Sequence, residues 1–454
     1  MGTLLAAYLS VRMGAEIGFG LVLLVTLFMA SVLGFLVAPH VMFALTIPLF
    51  ALIPAAKLFV SPKVGPVKDL VSLAAIIAAA AVFSVERRPG RRHVLPDNKV
   101  LVAVAFILGL YMVNVGGGHD IAWAQGVRLI GEPLLLLVAG FILVDPRRTL
   151  RYAIPSLVAT ACFEATYGLF QQVVGPWWLR GWGYSFAHQL RTYNGHLRSF
   201  GTFDETFAYT AFLLFGLVAV IFWMRRGPLA AACGTLLTAG IVVGFVRTAI
   251  LIFVALVGLW IGRKGNLTSA LLVVAAAIAA AFAILVTSAG GSETTKYESR
   301  SSSLTLNGRT SAWKAALGDP STWPLGRGVG IVGTAAQRAE VSLAPGASSG
   351  TQARAVDSGY LATIADVGFI GLAVLLALLG RLIGLATAAI RARRDAGWFA
   401  LGLITVIMID AVTRASFTGF PTAFLALPLI GVALASAKQI DRLEARDPTL
   451  RLRR

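Results

Sequence analysis

Long apolar segments recur along this chain and restrict its fold more than any other feature. They fall at 15–37, 39–58, 68–85, 99–116, 122–144, 149–174, 205–224, 228–246, 247–262, 268–288, 357–390, 397–416 and 419–437. A helix of roughly 20 apolar residues spans the hydrocarbon core of a bilayer, and it satisfies its own backbone hydrogen bonds there. The short alternating strands of a membrane β-barrel are absent from the sequence. The sequence therefore predicts an all-α fold, a polytopic membrane bundle of 12–13 transmembrane helices.

Charge is sparse in this chain and concentrated between the apolar segments. Of 454 residues, 57% are hydrophobic and 13% are charged, whereas a soluble domain carries about a quarter charged residues. The net charge of +18 would suggest nucleic-acid binding in a soluble protein. Here most of the excess lies in short loops, as the positive-inside rule predicts for cytoplasmic loops. We therefore expect this charge to orient the helices in the lipid bilayer, and we exclude nucleic acid as a partner.

Basic residues in the short loops set the orientation. Alternation of sides puts six basic stretches in the cytoplasm, at 86–99, 145–151, 225–226, 263–264, 391–395 and 438–454. The chain then divides into N-terminal helices (1–174), an aromatic and basic outer loop (175–204), central helices (205–288), a large and partly helical outer loop (289–356), C-terminal helices (357–437) and a basic cytoplasmic tail (438–454). Lys57, Lys63 and Lys68 fall on the outer side in this scheme. The basic-loop rule therefore does not support the scheme before residue 68.

Positive charge is also gathered on the outer side, where topology does not require it. The loop at 289–356 carries these cations: Lys296, Arg300, Arg309, Lys314, Arg327, Arg338 and Arg354. A guanidinium group is a planar fork that suits phosphate oxygens, and it stays charged when it is desolvated. These arginines are candidates for binding a phosphorylated ligand, with an ordinary solvated surface as the competing interpretation.

Two further arginines lie at boundaries between apolar and polar sequence on the outer side. Arg247 stands in VVGFVRTAILIF, between two apolar segments, and Arg198 stands just before GTFDETFAYT. A boundary arginine can extend to lipid headgroups. It can equally face a cavity and hold a lipid-linked anion. Asp204, which follows Arg198, is a candidate cap for the next helix.

Acidic residues near the outer helix ends supply candidate partners and a candidate base. Asp410 and Arg414 are four residues apart and are expected to form an ion pair; Arg128 and Glu132 have the same spacing. Asp357 opens the segment DSGYLATIADVG. It either caps that helix or positions and deprotonates an acceptor hydroxyl.

Other residues of the outer half have two interpretations each. Glu164 is an acid inside an apolar segment, which is typical of a functional site, and the sequence names no partner for it. The outer loop at 175–204 is rich in aromatic residues that fit a membrane-interface belt or stacking on sugar rings, namely Trp177, Trp178, Trp182, Tyr184 and Tyr193.

Motifs for metals and nucleotides are missing from the sequence. The histidines, cysteines and acids show no spacing typical of a metal site, and there is no phosphate-binding or dinucleotide-binding motif. We therefore expect neither a metal nor a cofactor. A mechanism that uses ATP or a nucleotide sugar has no support in the sequence.

Five motifs occur in an order that resembles one family. They are ATYGLFQQVVG (165–175), LRSFGTFDETFAYTAFLLFG (197–216), GFVRTAILIFVAL (244–256), NGRTSAWKAAL with PLGRGVGIVG (307–317 and 324–333), and DSGYLATIADVGFIGLAVLLALLG (357–380). Together they resemble the O-antigen ligase/polymerase superfamily, which includes Wzy-type polysaccharide polymerases. Val246 stands where the family usually has Ser. The resemblance covers residues 165–380.

The resemblance implies a metal-independent, inverting glycosyltransferase in the bacterial inner membrane, with its active site on the periplasmic face. The donor would be a glycan on undecaprenyl diphosphate and the acceptor another glycan, with a flippase and a chain-length regulator as partner proteins. By position, the arginines that hold the diphosphate would be Arg198, Arg247 and Arg309. We predict as catalytic residues Asp357, Arg247 and Arg309. We predict as binding residues for diphosphate or glycan Arg198, Arg191, Arg300, Arg354, Trp313 and Arg414.

One departure from the family pattern bears on the reaction. Ligases of the family carry a His-Asn pair before the Tyr-Leu helix, where this chain has Asp357 and Ser358. This difference favours a polymerase over ligase-type transfer to another acceptor. A transporter or flippase for lipid-linked glycans and a membrane scaffold are the competing functional classes. A transporter would line a path across the midplane with charged groups, whereas this sequence puts most polar side chains at one face.

Overall fold

The computed structural model describes most of the chain outside the long outer loop and the termini. The described residues are 15–85, 96–115, 120–143, 145–186, 189–193, 196–224, 227–264, 268, 272, 322–331, 335 and 358–446. The predicted segment at 268–288, the loop at 289–356 and the end of the tail therefore lie mostly outside them. Predictions for Arg300, Arg309, Trp313, Arg354 and Asp357 also fall outside the described residues.

The described residues are almost entirely helical. The helices are α1 Ala15–Val37, α2 Pro39–Phe59, α3 Val67–Val85, α4 Asn98–Val113, α5 Asp120–Ile142, α6 Pro146–Gly181, α7 Thr206–Phe222, α8 Pro228–Val242, α9 Arg247–Lys264, α10 Gly359–Arg391, α11 Asp395–Thr413 and α12 Thr422–Arg446. A 3₁₀ turn at Pro62–Val64 and a ribbon of β1 Thr192–Tyr193 and β2 His196–Leu197 complete the described elements. Seven helices, α2, α3, α5, α6, α10, α11 and α12, are long and apolar enough to cross a membrane. The predicted all-α, multi-pass membrane fold is confirmed.

The two helices near the C-terminus form the centre of the bundle. The membrane-length parts of α11 and α12 are almost wholly buried inside the protein. α12 packs on α5 and α11, while α11 also packs on α7, α9 and α10. Close approach of α5 and α12 depends on small residues, because a Cβ on Gly140 or Gly431 would collide with the backbone of Pro428 or Leu137.

α6 is longer than its apolar segment. The sequence predicts that the outer loop begins at residue 175, whereas α6 continues to Gly181 beyond a kink at Gly175 (φ 76°, ψ 170°). Glycine tolerates this left-handed backbone, and Pro176 then starts the last helical turns with its preset φ. The hydropathy signal ended at the kink because the following turns carry Trp177, Trp178 and Arg180.

α6 holds the segment 199–205 through buried polar contacts. The Glu164 carboxylate accepts hydrogen bonds from the Thr202 backbone N–H (2.9 Å) and hydroxyl (2.6 Å). The Gln171 amide donates to Gly201 O and accepts from the N–H groups of Phe200 and Gly201. Glu164, which had no partner in the sequence, therefore has a structural one in Thr202.

α10 bends where it meets the short loop 322–331. Gly368 has φ 71° inside α10, and a Cβ there would overlap the Pro324 carbonyl. Backbone hydrogen bonds join Phe369 N–H to Trp323 O and Arg327 N–H to Ala365 O. Two predicted motifs, PLGRGVGIVG and the segment from 357 to 380, therefore pack directly against each other.

Candidate functional site

Several helix ends meet around one arginine at one end of the bundle. This end holds the start of α7, α9, α10 and α12 and the end of α11, and we call it the outer end after the predicted topology. Arg414 follows α11 directly. Its guanidinium lies 2.8 Å from Glu205, which precedes α7, and 3.0 Å from the Thr422 hydroxyl at the start of α12. Its carbonyl accepts the Gly359 N–H of α10 at 2.8 Å.

The predicted pair of Asp410 and Arg414 is present, with the two side chains 3.8 Å apart. The Asp410 carboxylate is only 4% exposed and accepts a 2.5 Å hydrogen bond from the Ser416 hydroxyl. Arg414 itself is 11% exposed. Buried charges are stable when they are paired and hydrogen-bonded. Asp410 therefore fixes Arg414 from the buried side, while Glu205 contacts it from the more exposed side.

Arg198 lies beside the start of α7. Its guanidinium carbon is 5.3 Å from the centre of the Phe207 ring, a cation–π distance. Its backbone N–H donates to Arg191 O at 2.8 Å, so the two predicted binding residues are neighbours. The next residue, Ser199, donates its backbone N–H to Val243 O after α8. Arg198 is thereby held between α7 and the turn that leads into α9.

Arg247 begins α9 and is exposed. The Thr248 hydroxyl next to it lies 2.9 Å from the Thr413 hydroxyl, which directly precedes Arg414. The preceding turn packs on α7, because a Cβ on Gly244 would touch Thr210. Arg198, Arg247 and Arg414 therefore belong to one side of the bundle and to contacting elements. We call these three with Glu205 and Asp410 the outer arginine site.

The starts of four helices add positive potential to the outer arginine site. Unpaired N–H groups and the macrodipole make a helix N-terminus favourable for anions. The start of α7 has no side-chain cap, although Glu205 occupies the N-cap position. Asp204, the predicted cap, lies instead 3.5 Å from Lys57. The cap of α10 is Ser358, the residue after Asp357, through the Leu361 N–H.

A second charged cluster lies between α3 and α5. Lys68 pairs with Asp69, and Arg128 lies 3.3 Å from Asp69 and 3.9 Å from Glu132. The predicted pair of Arg128 and Glu132 is thus present, as part of a larger group. The Lys68 ammonium also lies 4.7 Å from the centre of the Phe424 ring of α12. Sequence reasoning missed this group because its members lie on separate helices.

The aromatic residues of the outer loop divide into two sets. Trp177, Trp178 and Trp182 are exposed beyond the α6 kink, and the last two lie 3.9 Å apart between ring centres. Exposed tryptophans at a helix end suit a membrane interface. Tyr184 is buried, packs on Phe200 and hydrogen-bonds to another tyrosine, so it belongs to the core of this loop.

Comparisons with known proteins give no independent identification. No protein-family model matches the chain, and no match was found among curated proteins. In the part of the chain that is described, no group of three His, Cys, Asp or Glu side chains could hold a metal ion. The likeness to O-antigen ligases and polymerases therefore rests on the sequence motifs, and it enters below as a proposal.

Proposed function

We propose that this chain is a membrane glycosyltransferase that transfers a glycan from undecaprenyl diphosphate to a hydroxyl of an acceptor glycan. In this proposal it joins the repeat units of a surface polysaccharide or exopolysaccharide at the periplasmic face of the bacterial inner membrane. The observation that carries the proposal is the outer arginine site, where Arg198, Arg247 and Arg414 lie on contacting elements beside four helix starts.

The chemistry requires little beyond positive charge and orientation. The acceptor oxygen attacks the anomeric carbon of the donor sugar from the side opposite the diphosphate. The bond from that carbon to the diphosphate oxygen breaks, and the diphosphate leaves with the electron pair. The acceptor proton passes to a carboxylate, for which Asp357 is the sequence-based candidate. Direct displacement of this kind inverts the configuration at the sugar carbon.

Arginines next to helix starts supply the positive charge that stabilises the leaving diphosphate. Charge grows on the diphosphate as the bond breaks, and fixed donors in a water-poor site stabilise it most in the transition state. Arg198 and Arg247 are the described candidates for this role, and Arg309 joins them on the sequence resemblance. Arg414 is bound to Glu205 and Asp410. In this proposal Arg414 therefore holds the carboxylate of Glu205 beside the site, and the phosphate oxygens contact Arg198 and Arg247.

The distribution of charge favours transfer over transport. A transporter needs charged groups along a path through the midplane. Of the described acids inside membrane-length helices, Glu164 has its carboxylate occupied by Thr202, and Asp366 accepts a hydrogen bond from the Tyr111 hydroxyl at 3.5 Å. The pairs around Arg414 and Lys68 lie at the outer end instead.

The test uses purified protein in lipid nanodiscs with a synthetic undecaprenyl-diphosphate oligosaccharide and no nucleotide. Longer lipid-linked chains on a gel or in mass spectra support polymerisation. Transfer of a single unit to a different acceptor points to ligation instead. Absence of any product, together with movement of the lipid across vesicle membranes, supports a flippase and contradicts the proposal.

A further inference from the structure

Glu205 occupies the N-cap position of α7 but does not cap it. Its backbone is extended (φ −154°, ψ 152°), and its side chain makes no hydrogen bond to the first turn of the helix. The carboxylate reaches Arg414 instead, with Oε1 2.8 Å from Nη2. Capping is worth about 1 kcal/mol to a helix. Glu205 does not contribute such a cap, and its carboxylate contacts Arg414.

The group that holds Glu205 is itself fixed. Arg414 donates to the Thr422 hydroxyl and lies 3.8 Å from the buried Asp410, which is bound to Ser416. A carboxylate held by a locked guanidinium loses little conformational entropy when a ligand binds to it. Glu205 is thus preorganised, yet 37% of its side chain remains exposed.

The other acids nearby lack this combination. Asp410 is 4% exposed and enclosed by its partners. Glu164 is fully buried against Thr202. Asp204 is 54% exposed, and its contact is the partly exposed Lys57 at 3.5 Å. Of these four acids, Glu205 is the one that is both held by a fixed partner and open to solvent.

We propose that Glu205 binds the acceptor glycan, by accepting hydrogen bonds from sugar hydroxyls next to the one that reacts. This inference rests on the proposed function and names the residue that orients the second substrate. Hydroxyl-to-carboxylate bonds are charge-assisted and short, so they select a hydroxyl-rich ligand over a lipid headgroup phosphate, which a carboxylate repels. Glu205 then separates the two substrates: phosphate oxygens bind the arginines, and acceptor hydroxyls bind the carboxylate.

The test compares three variants, Glu205→Gln, Glu205→Asp and the matched control Asp204→Asn. Transfer is measured in nanodiscs from an undecaprenyl-diphosphate oligosaccharide to a water-soluble oligosaccharide of the same repeat unit, so that each substrate is varied separately. Loss of a charge-assisted hydrogen bond weakens binding by about tenfold to a hundredfold. For Glu205→Gln we expect the acceptor KM to rise by that factor, with donor KM and the pH profile of kcat unchanged. Glu205→Asp should recover part of the loss, and Asp204→Asn should behave as wild type.

Several outcomes overturn the inference in distinct ways. Tighter donor binding by Glu205→Gln, with an unchanged acceptor KM, would make Glu205 a counterion for Arg414. A fall in kcat with a changed pH profile and a normal acceptor KM would make it a base. An equal rise of the acceptor KM in Glu205→Gln and Asp204→Asn would show that the effect comes from surface charge in general. A wild-type chain that makes no product would refute the proposed function, and the inference with it.

Discussion

Arg414 is the residue whose contacts join the site to the fold. Its pairing with Asp410 followed from the spacing of four residues in the sequence, because such residues share a helix face. Its contact with Glu205 could not be predicted, because 209 positions separate the two residues and only tertiary packing brings them together. The same holds for Glu164 and Thr202. The two pairs at a spacing of four residues were predicted correctly, the local cap at Asp204 was wrong, and contacts between distant residues were not predicted.

Replacing Arg414 should cost stability because it leaves Asp410 buried without its cation. Removing one partner of a buried pair costs about 3–5 kcal/mol, whereas replacing both partners with apolar residues is often neutral. We therefore expect Arg414→Leu to lower the melting temperature in detergent clearly. The double variant Arg414→Leu/Asp410→Leu should recover much of that loss. A double variant as unstable as the single one would show that the ion pair is not the cause.

Replacing Arg247 should affect activity rather than folding, because it is exposed at the start of α9. Lysine keeps the charge but loses the two-pronged geometry that suits a phosphate. We expect Arg247→Lys to lower the transfer rate by about a hundredfold, as for loss of one preorganised donor, with the melting temperature unchanged. Arg180→Lys, which alters an exposed arginine beside Trp177, is the matched control. Equal rates in both variants would remove Arg247 from the site.

At the scale of elements, the length of the apolar segments predicted the helices well, but it did not predict the irregularities of their backbone. Twelve of the thirteen predicted apolar segments correspond to described helices. The kink at Gly368 was not predicted, since a glycine in an apolar run gives no sign of its φ, and at Gly175 the sequence predicted the start of a loop where the helix continues beyond a kink. The bend of α10 depends on a loop from another part of the chain. Because that loop is distant in the sequence, the apolar segment 357–390 alone predicts one continuous helix.

The Gly368 kink offers a direct test of this element. Alanine there would have to adopt a positive φ and would overlap the Pro324 carbonyl. We expect Gly368→Ala to cost about 1–3 kcal/mol in the free energy of unfolding. Gly380→Ala, in the same helix with no neighbour around the added methyl group, should be neutral or slightly stabilising. Equal melting temperatures for the two variants would show that the positive φ at Gly368 is not required.

An ion pair joins the inner ends of α4 and α10. The Arg381 guanidinium donates two hydrogen bonds to Asp97, at 2.6 and 3.2 Å, and this holds the Asp97 pKa below its usual range. A lowered pKa stabilises the folded state at pH values above the unfolded pKa of about 3.9 and loses that contribution as pH falls through the folded pKa. We expect Asp97→Asn to lower the melting temperature at pH 7, and the difference from wild type to shrink as the pH falls below the unfolded pKa of about 3.9. A constant difference across this range would contradict the prediction.

At the scale of the whole molecule, the sequence predicted a multi-pass helical membrane protein, and the fold agrees. It also predicted arginines at the outer side, and Arg198, Arg247 and Arg414 lie on contacting elements at one end of the described bundle. Apolar length and basic loops are properties of short windows of sequence, so they can be recognised without the fold. The meeting of α7, α9, α10, α11 and α12 at one point depends on packing across the bundle. Only the structure shows where these helices meet.

The outer arginine site is proposed above all to bind a lipid-linked diphosphate. The affinity of the protein in nanodiscs for undecaprenyl diphosphate and for undecaprenyl monophosphate, measured by native mass spectrometry, tests this directly. We expect wild type to bind the diphosphate at least about tenfold more tightly. We also expect the Arg198→Gln/Arg247→Gln variant to lose this preference while still retaining bulk phospholipid. Equal binding of the two lipids by wild type, or an unchanged preference in the variant, would contradict the proposal.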